Sequence, residues 1–191
     1  MKKTFAICFC LVFILTLVVI ADLQAGEFQK SAPVTKVFQE TGYGYSIWYP
    51  SDWALFKQPG QTVVFSGSTG TRAYYSTVSI QNLRSTKLSE GKYKDTDGVI
   101  DDLRNQLKNA KEVKMSDVET VQYMKDNLKL TGKQFIAEYS MEAERYRQWI
   151  VVFPTPSGEI FLAWFYTSPI DQYNDFLDNA KAMMDSWTIR D

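Results

Sequence analysis

Two neighbouring segments near the C-terminal end carry large apolar side chains on both sides. In "RQWIVVF", Trp149, Val151 and Phe153 face one way and Ile150 and Val152 the other; in "EIFLAWFY", Ile160, Leu162, Trp164 and Tyr166 oppose Phe161, Ala163 and Phe165. "PTPSG" between them reads as hairpin punctuation. An extended segment that is apolar on both faces is stable only with a layer above and a layer below. This pair of strands therefore requires a three-layer domain.

Two helices can supply the layers. Val99, Ile100, Leu103, Leu107 and Ala110 share one face, opposite Asp101, Asp102, Arg104, Asn105 and Lys108. Thr96 or Asp97 is the expected cap of this helix. A second helix is expected over Ile170–Ser186, capped by Asp171, with Tyr173, Phe176, Leu177, Ala180, Met183 and Met184 as its stripe.

The remaining chain reads as strands. Tyr43, Tyr45, Ile47 and Tyr49 alternate with Gly44, Ser46 and Trp48, until Pro50 removes a ladder donor. "PGQ" at Pro59 to Gln61 is a turn, followed by a strand in "TVVFSG". "AYYSTVSIQNL" alternates again, and Arg84 to Lys94 is a polar loop. Glu112 to Lys125 reads as one strand, and "KQFIAEYSM" as a strand with Phe135, Ala137, Tyr139 and Met141 inward. "EAERYR", Glu142 to Arg147, is a charged hairpin end. The fold class is α+β: an antiparallel sheet between helices.

The chain opens with Lys2 and Lys3, an apolar run from Phe5 to Ile20, then Ala21 and Ala25. This is the pattern of a secretory signal peptide, over residues 1–25, and it is shorter than a spanning helix of roughly 20 apolar residues. Residues 26–39 form a mixed lead-in with room for one short strand, and 40–191 form a single domain. Both cysteines, Cys8 and Cys10, fall inside the leader. The exported chain is then expected to have no disulfide and no thiol nucleophile, to be periplasmic or secreted, and to have no stable membrane insertion after cleavage.

Composition narrows function. The net charge of −1 provides no basic field, so no nucleic-acid partner is expected. The absence of histidine excludes His-based triads and His-ligated metals. "SGSTGT" at Ser66 to Thr71 lacks both the nucleophile-elbow spacing and a following Gly-Lys-Ser/Thr. Asp95, Asp97, Asp101 and Asp102 are a candidate divalent-ion cluster, but the helix dipole accounts for acidic residues in a first turn. No cofactor, metal ligand or catalytic residue is expected.

The aromatic stretch "YSIWYPSDW" leaves two readings open. In one, Tyr45, Ile47 and Tyr49 enter the core, Trp53 folds back over the strand end, and Trp48 lies under the second layer. In the other, Trp48 and Trp53 build a surface cup. Ser68 and Arg72, in the loop from Ser66 to Arg72, complete the candidate partner surface.

Tyr49-Pro50-x-x-Trp53 and the terminal Ser186-Trp187-Thr188-Ile189, in this order of elements, resemble the PsbP-like family over Phe38 to Ile189. The resemblance implies an α/β/α sandwich and a binding or assembly role, with an unidentified protein partner. The family includes lumenal subunits of the water-splitting complex, exported bacterial proteins and chaperone-like adaptors. The leader here is of plain bacterial type, which departs from the photosynthetic members.

N-terminal sequencing of the exported protein is expected to begin at Gly26; a membrane-bound product starting at Met1 would contradict the leader assignment.

Overall fold

The computed structural model describes residues 33–58 and 62–190. The expected leader, both cysteines and the Pro59–Gln61 turn lie outside the described residues.

The elements, in order, are β1 (Val34–Glu40), β2 (Tyr45–Pro50), β3 (Trp53–Gln58), β4 (Thr62–Gly67), a 3-10 turn (Arg72–Tyr75), β5 (Thr77–Arg84), α1 (Thr96–Leu107), β6 (Lys111–Met115), β7 (Glu119–Lys125), β8 (Leu128–Met141), β9 (Glu144–Pro154), β10 (Ile160–Pro169), α2 (Leu177–Ser186) and β11 (Thr188–Ile189). Eight strands form an antiparallel sheet in the order β3-β4-β5-β10-β9-β8-β6, with β7 also paired to β8. A second sheet, β1-β2-β11, has three strands.

The expected two-sided burial holds. On one face, Phe135, Ala137, Ile150, Val152, Phe161 and Ala163 pack under α1 through Val99, Ile100 and Leu103. On the other, Val151, Phe153, Leu162, Trp164 and Tyr166 meet Ala180 and Met183 of α2. Tyr45, Ile47 and Ile189 of the small sheet join the same cluster. This second layer is thus part helix and part sheet. Gly132 lets β8 pass β9 closely, because a Cβ there would come within 2.4 Å of both the Phe153 ring and the Val152 carbonyl oxygen.

Several boundaries differ from the periodicity. The segment from Glu112 to Lys125 is two strands, since Ser116 breaks the run. Its N–H donates to the Ile136 carbonyl, its hydroxyl accepts from the Ile136 N–H, and its carbonyl accepts from Arg104. The alternating strand of "AYYSTVSIQNL" begins at Thr77, because Arg72–Tyr75 coil into the 3-10 turn. Helix α2 starts at Leu177, not Ile170, and Asp171 does not cap it. Residues 170–175 are turns, in which the Tyr173 carbonyl accepts the buried Tyr166 hydroxyl at 2.7 Å. Burial pushes the Tyr166 phenol well above its ordinary pKa, so it stays a neutral donor.

The cap of α1 is Asp95, one residue before the expected pair. Its extended backbone and its carboxylate, 2.9 Å from the Gly98 N–H, satisfy a helix-end donor. Asp97 instead pairs with Lys133 of β8. Asp102 accepts from Lys92 and Tyr93, both at 2.6 Å, and from Gln106 at 3.0 Å. Partial burial works to raise the Asp102 pKa, but these three donors outweigh it and hold the carboxyl below the ordinary aspartate value.

Two stability measurements check this account. Asp95→Ala is expected to cost about 1 kcal/mol in urea unfolding, and Asp97→Ala at most about 0.5 kcal/mol, as for other exposed pairs. Because the folded pKa of Asp102 is depressed, its stabilisation is present above the unfolded value and is lost as pH falls below about 4. Asp102→Asn should therefore lower the urea midpoint at pH 7 and flatten its decline in acid; an unchanged acid slope would show that the pairing contributes nothing.

Candidate functional site

A groove of about 410 Å³ opens beside the C-terminal end of α2. Strand β9 forms its floor with Trp149, Val151 and Phe153. The alternation that buries Ile150 and Val152 under α1 turns these three residues to the opposite face. Val121 and Tyr123 of β7 form one wall, and Met184 and Asp185 of α2 the other.

Strand β7 is tied over the groove by its own side chains. The Tyr123 hydroxyl donates to the Trp187 carbonyl at 3.2 Å and accepts from the Ile189 N–H at 3.1 Å. Burial raises the Tyr123 pKa, which keeps this donor protonated. The Lys125 ammonium donates to the Asp185 and Ser186 carbonyls at 3.3 and 3.0 Å, where the last turn of α2 leaves acceptors unused. At the rim, the Gln134 amide accepts from the Trp149 indole at 3.0 Å and donates to Glu119 at 3.0 Å. The indole stands edge-on to Trp164, with ring centroids 5.0 Å apart. The groove thus presents a fixed, half-buried Trp among apolar side chains, with Tyr123, Lys125 and Gln134 bonded to the protein and the exposed Asp185 at its edge. That arrangement suits recognition of an apolar group.

The residues singled out from the sequence do not converge on one site. Tyr45 and Ile47 are in the core, whereas Tyr49 is half-buried against Phe65 at 4.9 Å. Trp53 is 3% exposed and belongs to the core. Trp48 is 48% exposed rather than covered by a helix layer. Its strand belongs to the small sheet, which itself covers the main one and turns its outer side to water. Trp48 and Trp53 therefore share no cup; Trp48 is instead opposite Val37, which is 51% exposed. Ser68 donates to the Asp52 carbonyl at 2.5 Å, and Arg72 pairs with Asp175 at 2.7 Å. Both hold the loop to its neighbours.

Asp95, Asp97 and Asp102 are occupied as described, and Asp101 is exposed on α1. Among the described residues, no group of three or more His, Cys, Asp or Glu is placed to hold a metal ion. The sequence marks Trp149, Val151, Phe153 and Met184 as packing positions and not as a site. Gln134 on the polar side of its strand is a faint local signal, but its meeting with Trp149 depends on the β8–β9 pairing.

A PsbP family model matches residues 34–189. A Bacteroides thetaiotaomicron VPI-5482 protein of known structure shares 16% identity at a TM-score of 0.53, over 83% of this chain and 50% of that one, so the chain spans half the length of that protein. The cyanobacterial PsbP of Synechocystis sp. PCC 6803 shares 11% identity at a TM-score of 0.56, over 89% of this chain and 98% of its own. The Saccharomyces cerevisiae Ran-binding protein Mog1p shares 12% identity at a TM-score of 0.56, over 82% and 95%. No curated protein matches in sequence. At these identities the structures show the common fold, an antiparallel sheet with two helices. With the family match spanning β1 to β11, the chain belongs to the PsbP family.

Proposed function

We propose that this protein is an exported, non-catalytic binding or accessory protein that engages another protein outside the cytoplasm, with the Trp149 groove as its recognition site. The observation that carries the reading is a rigid indole, bonded to Gln134 and edge-on to Trp164, set among the apolar side chains of a groove. Trp is enriched among residues that dominate interface energetics, and a pre-ordered aromatic loses little entropy on binding. The Lys125 ammonium donates to the Asp185 and Ser186 carbonyls, which holds this wall of the groove in place.

Three further points support it. The leader pattern directs the chain out of the cytoplasm. Among the described residues no helix is long and apolar enough to cross a membrane. One protein of this fold is named as Ran-binding, which supports a protein partner here by analogy of fold. A second surface, the exposed Trp48–Val37 pair, is the alternative site on the same molecule.

Cross-linking in cell envelopes followed by mass spectrometry separates the two surfaces. Trp149→Ala is expected to weaken partner capture by about tenfold or more, the scale of an interface hot spot. Trp48→Ala is expected to leave capture unchanged. Loss of capture in Trp48→Ala alone would move the site to the small sheet. A thermal midpoint raised by calcium or manganese would favour an ion-binding role instead.

A further inference from the structure

The free edges of the two sheets are unequal. Strand edges expose unpaired N–H and C=O groups and are normally guarded by bulges, lysines or cover. Strand β1 carries a register shift at Val34/Lys36. Strand β6 carries one between Lys111 and Lys114. Strand β3 is bridged at its end by the Lys57–Glu40 ion pair at 2.8 Å. Strand β11 is two residues long, and its Ile189 N–H is taken by Tyr123. Of these guards strand β7 carries only its terminal lysine, Lys125, which is turned to the end of α2. It is seven residues long, pairs with β8 in unbroken register, and among the described residues pairs with no other strand. Its sequence, ETVQYMK, has no proline or internal charge.

From this edge we infer that the protein forms a two-fold symmetric dimer through antiparallel β7–β7 pairing, which joins the two main sheets into one. The occupant is a second copy because the edge is complementary to itself. A two-fold axis at Gln122 is the register that pairs all seven residues. It sets Glu119 of each copy opposite Lys125 of the other, Val121 opposite Tyr123, and Thr120 opposite Met124. Opposite charges and aromatic–β-branched pairs are favourable cross-strand neighbours, and the symmetry provides each of them twice.

The ionic pair remains available in the folded chain. The Lys125 ammonium has three donors, of which two go to helix-end carbonyls. The Glu119 contact with Gln134 uses a single carboxylate oxygen. Thr120 is exposed and Met124 is 73% exposed, so the face carrying them needs no rearrangement.

Light scattering on the purified protein, across micromolar to submillimolar concentrations, tests the dimer. The wild type is expected to show the dimer mass. T120E/M124E places like charges opposite each other twice and is expected to raise the dimer dissociation constant at least about tenfold, whereas T120K/M124E places opposite charges there and should restore the dimer. All of these substitutions sit at exposed positions, so unchanged thermal midpoints at a monomeric concentration will show that folding is intact. Gln122→Cys should give a covalent dimer under mild oxidation, because residues at the axis lie within disulfide reach. A wild type that stays monomeric throughout overturns the proposal and leaves the edge to an unlike strand. Dimerisation of T120E/M124E equal to that of the wild type overturns it as well. The readout is mass, so this result is independent of whether Trp149 captures a partner.

Discussion

Strands β9 and β10 place large side chains on both faces of one sheet, and the rest of the domain is arranged to keep water from both. Ile150, Val152, Leu162, Ala163, Trp164 and Tyr166 are fully buried. Burying a large apolar side chain is worth roughly 1.5–3 kcal/mol. Leaving either face open would therefore forfeit several such terms, comparable with the whole stability of a domain of about 5–15 kcal/mol. Helix α1 closes one face. The other is closed jointly by α2 and the small sheet, a division set by where each apolar stripe finds a complementary surface.

The C-terminal segment locks the second closure. Trp187 is fully buried, with its ring 6.4 Å from Tyr45 and 6.1 Å from Phe153, so it touches both sheets. Just before it, the Ser186 hydroxyl accepts from the Trp48 N–H at 2.9 Å and donates to the Met183 carbonyl at 2.7 Å. Helix end and strand start are thereby held against β2. The groove is a consequence of this joint: α2 stops at Ser186, Tyr123 and Lys125 take up the backbone groups the ending helix leaves exposed, and β7 is held above Trp149.

Binding and edge pairing use opposite properties of the same arm. On the side toward α2, Tyr123 and Lys125 of β7 bond to the protein while Val121 and the Tyr123 ring line the groove. Along its outer edge, β7 pairs with no strand among the described residues. Recognition of an apolar group depends on the first property, and association through a strand depends on the second. The two can coexist because side chains stand perpendicular to the sheet while ladder hydrogen bonds lie within it.

Local periodicity marks the two-faced strands, the inward side of β8 and the stripe of α1, because each depends on side chains close in sequence; the PsbP family is legible instead as a resemblance carried by Tyr49-Pro50-x-x-Trp53 and Ser186-Trp187-Thr188-Ile189. The location of Trp48 was not legible. Alternation shows that it opposes Tyr45 and Ile47, but whether that side meets a helix or water depends on β1 and β11 pairing with β2 rather than with the main sheet. The start of α2 was hidden similarly, since a hydroxyl from β10 competes for the Tyr173 carbonyl. The sequence points to Thr96 or Asp97 as the cap of α1, whereas Asp95 takes that place and Asp97 is drawn to Lys133 of β8, a partner far away in sequence. The groove is tertiary altogether: Trp149, Tyr123 and Met184 lie on separate elements, and only long-range strand pairing and the packing of α2 bring their side chains together.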